Sequence, residues 1–116
     1  MVTLGEQRRD YPAYALAAIH ELAKQQKLIL ESRKVQNDVG NLGYSIEEVC
    51  RCIAGLRDAD FSISILYPGE KKWSDVYLKE FRASGRDDAD HLYIKLRVPR
   101  GQQVVLFSFH LEGSVF

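Results

Sequence analysis

Two segments near the end of the sequence carry the side chains best suited to acid–base chemistry. In the first segment apolar residues alternate with polar ones, and the polar members are His91, Tyr93, Lys95 and Arg97. Because successive side chains of a β-strand point to opposite faces, these polar groups share the face that lies away from the core. The second segment carries His110, with the parity of Ser108 and Leu106. In an antiparallel pairing of the two strands His110 would approach Tyr93, although the pattern does not fix the register.

An imidazole, a phenol and two cations on one sheet face are suited to cleavage of RNA without a metal ion. Such cleavage needs a group that takes the proton of the ribose 2′-hydroxyl, an acid for the leaving 5′-oxygen and cations for the phosphorane charge. Histidine has an unperturbed pKa close to neutral pH and is the natural proton carrier. The alternative interpretation is an ordinary half-exposed sheet whose Lys95 and Arg97 are solvated. The alternation alone does not choose between them.

A turn and the residues after it form a second candidate region. Lys71 and Lys72 follow the turn residues Pro68 and Gly69, and they are either an exposed loop or a source of attraction for phosphate. Trp73 comes next and is either a core anchor or a platform on which a base stacks. Both interpretations of this region remain open from the sequence.

The remaining chemically active residues favour structural roles. His20 lies close to the apolar stripe of a helical segment, and Cys50 and Cys52 have the spacing of small packing residues on a helix. The sequence contains no glycine-rich phosphate loop, no nucleophile elbow and no cluster with metal-ligand spacing. We therefore expect no cofactor and no metal site.

Length and composition indicate one soluble domain in a reducing compartment. The chain has 116 residues, of which 46% are hydrophobic and 28% are charged, with 16 basic and 16 acidic side chains. Residues 1–116 are expected to form a single domain with flexible ends at 1–10 and 112–116. No stretch resembles a signal peptide or a membrane span, and two cysteines are too few for a disulfide scaffold, so a cytoplasmic location is expected. The neutral total argues against a strongly basic nucleic-acid binder.

The first half of the chain has helical periodicity. The pattern predicts a helix over Tyr11–Gln26, with Pro12 in its first turn, and a short extended connector at Leu28–Leu30. A second helix is expected between the N-cap Ser32 and Gly43. A third begins at Ser45, where Ser45 and Glu48 have the spacing of a capping box.

The second half of the chain changes to a period of two. Strands are predicted at Phe61–Ile65, Trp73–Phe81, His91–Val98 and Gln103–Leu111, and turn residues separate consecutive strands. Helices followed by strands linked in hairpins predict an α+β fold, with the N-terminal helices packed on one face of a mainly antiparallel sheet.

Four short motifs, in this order, resemble the MqsR family of toxins, which have a RelE-like ribonuclease fold. The motifs are Leu56-x-x-x-Asp60-Phe61, Trp73-x-Asp75-Val76-Tyr77, Leu92-Tyr93-Ile94-Lys95 and Val105-Leu106-x-Ser108-Phe109. The resemblance implies the toxin of a type II toxin–antitoxin pair, an endoribonuclease that cleaves mRNA to inhibit translation and growth. It also implies a cognate antitoxin protein as partner, with the ribosome as a further candidate.

The resemblance also implies site residues. Tyr93 and Lys95 match the family's catalytic tyrosine and a lysine beside it, and His110 takes the position of a basic residue that follows Ser-Phe. The expected RNA contacts are Lys71, Lys72, Ser74, Tyr77 and Arg97. Ser74 stands where the family has glutamine, and Lys71, Lys72 or Arg97 would replace a family lysine that is missing after Asp60-Phe61.

The departures from the family pattern keep a second function open. Ser62, Ile63 and Ser64 follow Phe61, so the family's phosphate-stabilising lysine has no counterpart there. The alternative is a catalytically weakened or inactive RelE-like module that binds an antitoxin partner or RNA. A DNA-binding role for the helix after Ser45 is disfavoured, because Glu47 and Glu48 would face the phosphates.

Overall fold

The computed structural model describes residues 5–113, so the expectations for residues 1–4 and 114–116 lie outside the described residues. The helices are α1 (Leu16–Lys24), α2 (Arg33–Leu42) and α3 (Ile46–Ala54). The strands are β1 (Gln7–Arg9), β2 (Leu28–Leu30), β3 (Phe61–Leu66), β4 (Ser74–Phe81), β5 (Asp90–Arg97) and β6 (Val104–Leu111). They form a six-stranded sheet in the order β1-β3-β4-β5-β6-β2. Within the described range, no helix has the length and apolar character needed to cross a membrane.

The predicted α+β architecture is confirmed. Side chains of the three helices pack against one face of the sheet, where every second residue of β5 is buried. Burying one such aliphatic side chain stabilises a fold by about 1.5–3 kcal/mol. The sheet side of this core includes Tyr77, Leu92, Ile94, Leu96, Leu106 and Phe109. The opposite face of β5 and β6 is thereby left to carry Tyr93, Lys95 and His110.

The first helix begins later than its sequence predicts. The expected start at Tyr11 is wrong, because α1 starts at Leu16. The backbone N–H groups of Ala13 and Tyr14 instead donate to the carboxylate of Asp75 at 3.0 Å. Asp75 is fully buried (0% exposed) on β4, and it also accepts a hydrogen bond from the Ser64 hydroxyl. This tertiary anchor holds the preceding segment against the sheet and displaces the start of the helix.

Two short strands extend the sheet beyond the four predicted ones. Gln7–Arg9, within the end expected to be flexible, pairs antiparallel with β3. Leu28–Leu30, expected to be a connector, pairs in parallel with β6. Both strands depend on partners that are distant in sequence, and three residues are too few to show a period.

The predicted helix ends at Ser32, Gly43 and Ser45 are confirmed. The Ser32 and Ser45 hydroxyls each accept a backbone N–H of the first turn, and Gly43 adopts the left-handed φ of 76° that favours glycine. The capping box forms only in part. The Glu48 carboxylate accepts hydrogen bonds from Arg51 and from the backbone N–H of Ser84, so it ties α3 to the loop after β4.

A β-bulge in β6 corrects the expected parity of the last strand. Lys95 pairs with Ser108, whereas the next residue of β5, Leu96, pairs with Leu106, so Phe107 is an extra residue. Leu106 is therefore in the core and 0% exposed, and the expectation that it shares a face with His110 is wrong. Because of the bulge, the apolar Leu106 faces the core and His110 faces the open side, although both residues lie on β6.

Candidate active site on the open face of the sheet

Tyr93 and His110 form the centre of the candidate site. They are direct cross-strand partners on β5 and β6, and their rings are stacked with centroids 5.1 Å apart and planes 10° apart. The Nδ1 atom of His110 lies 2.9 Å from the carbonyl oxygen of Leu111. Since a carbonyl only accepts hydrogen bonds, neutral His110 carries its proton on Nδ1 and its lone pair on Nε2. The expected approach of His110 to Tyr93 is thus observed.

The environment of Tyr93 keeps its phenol protonated. Burial raises the pKa of Tyr93 above its ordinary value, and the neighbouring Tyr67 acts in the same direction. The positive charge of Arg8, on β1, opposes this effect on the pKa. At neutral pH Tyr93 is consequently a hydrogen-bond donor rather than a base.

Lys95 is positioned by a residue that the sequence did not reveal as functional. Its Nζ donates a hydrogen bond of 2.8 Å to the Tyr67 hydroxyl and lies 4.8 Å from the centroid of the Tyr67 ring. In the sequence Tyr67 directly precedes the turn residues Pro68 and Gly69. Its parity with Ile63 and Ile65 was the signal that placed it on the same face as Lys95.

Arg97 is held firmly and is mostly shielded from solvent. Its Nε donates to the Ser74 hydroxyl at 2.8 Å, its guanidinium lies 3.5 Å from the Glu70 carboxylate, and its carbon centre lies 4.6 Å from the Phe107 ring. The Arg97 side chain is only 12% exposed. Ser74 is itself buried and therefore orients Arg97 instead of presenting its hydroxyl to RNA.

Tyr77 does not lie with the other expected site residues. It is 1% exposed and belongs to the helix-covered face, where its ring packs edge-on against Phe61 with centroids 5.6 Å apart. Burial raises the pKa of this phenol well above its usual range. The structure therefore places Tyr77 in the core, where RNA cannot reach it in the folded protein.

Lys71, Lys72 and Trp73 lie away from the Tyr93–His110 pair, near the far end of β5. They line a cleft of about 330 Å³ together with Arg9 and Arg100. Trp73 is partly exposed and is not a core anchor.

The other histidines and the cysteines are structural or exposed. His20 Nε2 lies 2.6 Å from the carbonyl oxygen of Leu56, and His91 is exposed at the start of β5. Cys50 and Cys52 are buried, and burial raises the pKa of the Cys52 thiol to about 12. Thiols with raised pKa values are poor nucleophiles, so the packing interpretation holds.

The chain belongs to the class of toxins that act in toxin–antitoxin systems. Its family is MqsR, because residues 11–110 match the profile described as motility quorum-sensing regulator, toxin of MqsA. The match covers most of the chain and confirms the resemblance seen in the four motifs. Membership of a family of toxins implies an antitoxin partner. No curated protein sequence matches this chain.

Proposed function

We propose that this toxin is a metal-independent endoribonuclease that cleaves mRNA in the cytoplasm and so inhibits translation and growth. The observation that supports the proposal most strongly is the stacked pair of Tyr93 and His110, with Lys95 on the same face. One face thus combines an imidazole, which can both take up and release a proton, with a protonated phenol and fixed positive charge. These are the elements that transesterification of an RNA phosphodiester requires.

In the proposed reaction His110 is the proton carrier. Its Nε2 lone pair takes the proton of the ribose 2′-hydroxyl, and the 2′-oxygen attacks the adjacent phosphorus. The bond from phosphorus to the 5′-oxygen then breaks, and the protonated imidazole of His110 gives the proton it has taken to the departing oxygen. The products are a 2′,3′-cyclic phosphate and a 5′-hydroxyl, so no co-reactant is needed.

Tyr93 and Lys95 would stabilise the charge that develops on the phosphorane. The raised pKa of Tyr93 keeps its hydroxyl protonated, so it can donate to a non-bridging oxygen. Lys95 supplies positive charge that Tyr67 orients through its hydroxyl. Arg97 contributes mainly through its field, because Ser74 and Glu70 already occupy its guanidinium.

The proposed partners follow from the family. The cognate antitoxin would be a protein of the MqsA type that silences the toxin, and mRNA would be the substrate, with the ribosome as a further candidate.

The test is cleavage of a defined single-stranded RNA by the purified protein in EDTA. We expect cleavage to persist in EDTA and to leave a 2′,3′-cyclic phosphate and a 5′-hydroxyl. An oligonucleotide of the same sequence with 2′-deoxyribose is the control and should stay intact, because it lacks the attacking hydroxyl. Cleavage that disappears in EDTA, or products with a 5′-phosphate, would contradict the proposed chemistry.

One observation favours the alternative of a binding module without catalysis. The family has a lysine shortly after its Asp-Phe, whereas this chain has Ile63 after Asp60-Phe61. The nearby Arg97 is paired with Glu70. Positive charge at the site is therefore reduced. Expression in a bacterial host separates the two functions: a ribonuclease toxin arrests growth, whereas a binding module leaves growth and mRNA unchanged.

A further inference from the structure

The cleft near the far end of β5 has an unusual concentration of positive charge. Arg9, Lys71, Lys72 and Arg100 line it together with Trp73, and no carboxylate is among the described residues that line it. Its volume of about 330 Å³ falls in the range of small-ligand sites. A cleft with one sign of charge concentrates the field and attracts anions.

Two features of this cleft are energetically costly in the folded chain. The Nε of Arg9 is buried, and it has no hydrogen-bond partner among the described residues. The Arg9 guanidinium is instead stacked 4.0 Å from the centroid of the Trp73 ring and 4.5 Å from that of Tyr11. Arg100 adopts a left-handed φ of 55°, a conformation that an L side chain such as arginine rarely takes. Buried unpaired donors and strained backbone of this kind concentrate at functional sites.

We propose that this cleft is a second RNA subsite, which binds a backbone phosphate several nucleotides from the scissile one. The choice of RNA as the ligand rests on the proposed function. Lys71, Lys72 and Arg100 contact the phosphate oxygens, while the stack of Arg9 on Trp73 forms a planar surface beside the sugar or base.

The geometry of β5 connects the subsite to the candidate active site. Tyr93 and Arg97 are separated by roughly 13 Å of extended strand, and Arg100 lies in the turn just beyond. The cleft opens on the helix-covered side of the sheet, because Arg9 is in register with Ser64, Asp75 and the core residue Leu96. A single strand bound at Tyr93 and His110 therefore passes Lys95 and Arg97 on the open face and turns around the end of β5 at Arg100 to reach the cleft. Binding at both ends fixes the direction of the RNA along β5.

An acidic protein segment is the competing ligand, and two observations favour RNA over it. The cleft lies at the end of the strand that carries the candidate catalytic residues. The stacked Arg9 and Trp73 are planar groups, which suit a nucleotide better than a carboxylate side chain.

Fluorescence of Trp73 tests the proposal directly, because the chain has 1 tryptophan. The probe is a single-stranded RNA with every 2′-hydroxyl methylated, which cannot undergo the proposed cleavage. We compare the wild-type protein with a variant carrying Lys71→Gln, Lys72→Gln and Arg100→Gln. The control variant carries Lys24→Gln, Lys27→Gln and Arg33→Gln, which are exposed and belong to the helical side.

We expect saturable quenching of Trp73 in the wild type and in the control variant. The cleft variant should bind about tenfold more weakly or worse, and its slope of log affinity against log salt should fall by roughly 0.7 for each lost phosphate contact. Equal weakening in both variants would show that only total charge matters and would overturn the subsite. Quenching by a polyglutamate peptide but not by the RNA would overturn it in favour of an acidic protein.

The fluorescence measurement does not depend on cleavage of the RNA. Since the methylated probe stays intact, quenching without ribonuclease activity toward ordinary RNA would refute the proposed function and leave the anion subsite standing. Cleavage of ordinary RNA without any change in Trp73 fluorescence would refute the subsite but would not contradict the proposed active site.

Discussion

The ring of Tyr93 stacks on the ring of His110 across β5 and β6, with centroids 5.1 Å apart and planes 10° apart. The antiparallel register makes the two residues direct neighbours. On β6, the bulge at Phe107 separates His110 from the core residue Leu106. The two side chains therefore belong to one chemical unit.

Replacement of Lys95 should slow the chemical step. Lys95→Gln removes the charge that faces the developing phosphorane, and loss of one such donor lowers kcat by about 10²-fold. Tyr67→Phe removes only the hydroxyl that accepts the Lys95 hydrogen bond. We expect it to lower kcat by a smaller factor, about tenfold or less. Single-turnover cleavage of a defined RNA measures both effects.

Lys24→Gln is the matched control for Lys95→Gln, because Lys24 is exposed on α1 and loses the same charge. Its cleavage rate should equal that of the wild type. Equal rates for Lys95→Gln and Lys24→Gln would show that Lys95 takes no part in the cleavage reaction.

Replacement of Asp75 should destabilise the fold. Its carboxylate accepts hydrogen bonds from Ala13, Tyr14 and Ser64 in a fully buried position. Asparagine keeps the shape but offers one acceptor oxygen, so its NH2 group would face a donor. Asp75→Asn should lower the free energy of unfolding by about 1–3 kcal/mol in urea denaturation.

Asp87→Asn is the control for Asp75→Asn, because Asp87 is exposed in the loop after β4. Its effect should stay within about 0.5 kcal/mol. If Asp75→Asn were as stable as Asp87→Asn, the hydrogen bonds that anchor the segment before α1 to the sheet would make no contribution to the free energy of unfolding.

The raised pKa of Tyr93 predicts a loss of stability at alkaline pH. Burial raises this pKa above the ordinary value of 10.0, so above pH 10.0 the unfolded chain releases the phenolic proton before the folded one does. The contribution of Tyr93 is thus present below pH 10.0 and decreases as the pH rises through the folded pKa. Tyr93→Phe removes it.

Urea denaturation from about pH 8 to about pH 11 measures this contribution. The free energy of unfolding should fall less steeply with pH in Tyr93→Phe than in the wild type. Parallel curves for the two proteins would mean that the phenol is not shielded in the folded state.

The sequence predicted the parts of the fold that local rules determine. The caps at Ser32 and Ser45 depend on bonds within one helical turn, and the alternation of β5 depends only on which face is buried. The shared face of Tyr93, Lys95 and His110 follows from the same alternation together with a short hairpin connection.

The missed features depend on contacts between residues distant in sequence. The start of α1 depends on Asp75, β1 and β2 depend on their partner strands, and Leu106 enters the core through a bulge. The role of Tyr67 emerges only when β3 and β5 share a sheet face, since its partner is Lys95.

The most direct test of the central claim compares cleavage of RNA in EDTA by His110→Ala, Tyr93→Phe and two matched controls. His91→Ala and Lys24→Gln are the controls, because both residues are exposed and lie outside the stacked pair and the positively charged cleft. We predict that His110→Ala lowers the rate by about 10²–10⁴-fold and Tyr93→Phe by about 10²-fold, with the controls unchanged. Wild-type rates in both His110→Ala and Tyr93→Phe, with melting temperatures unchanged, would contradict the account.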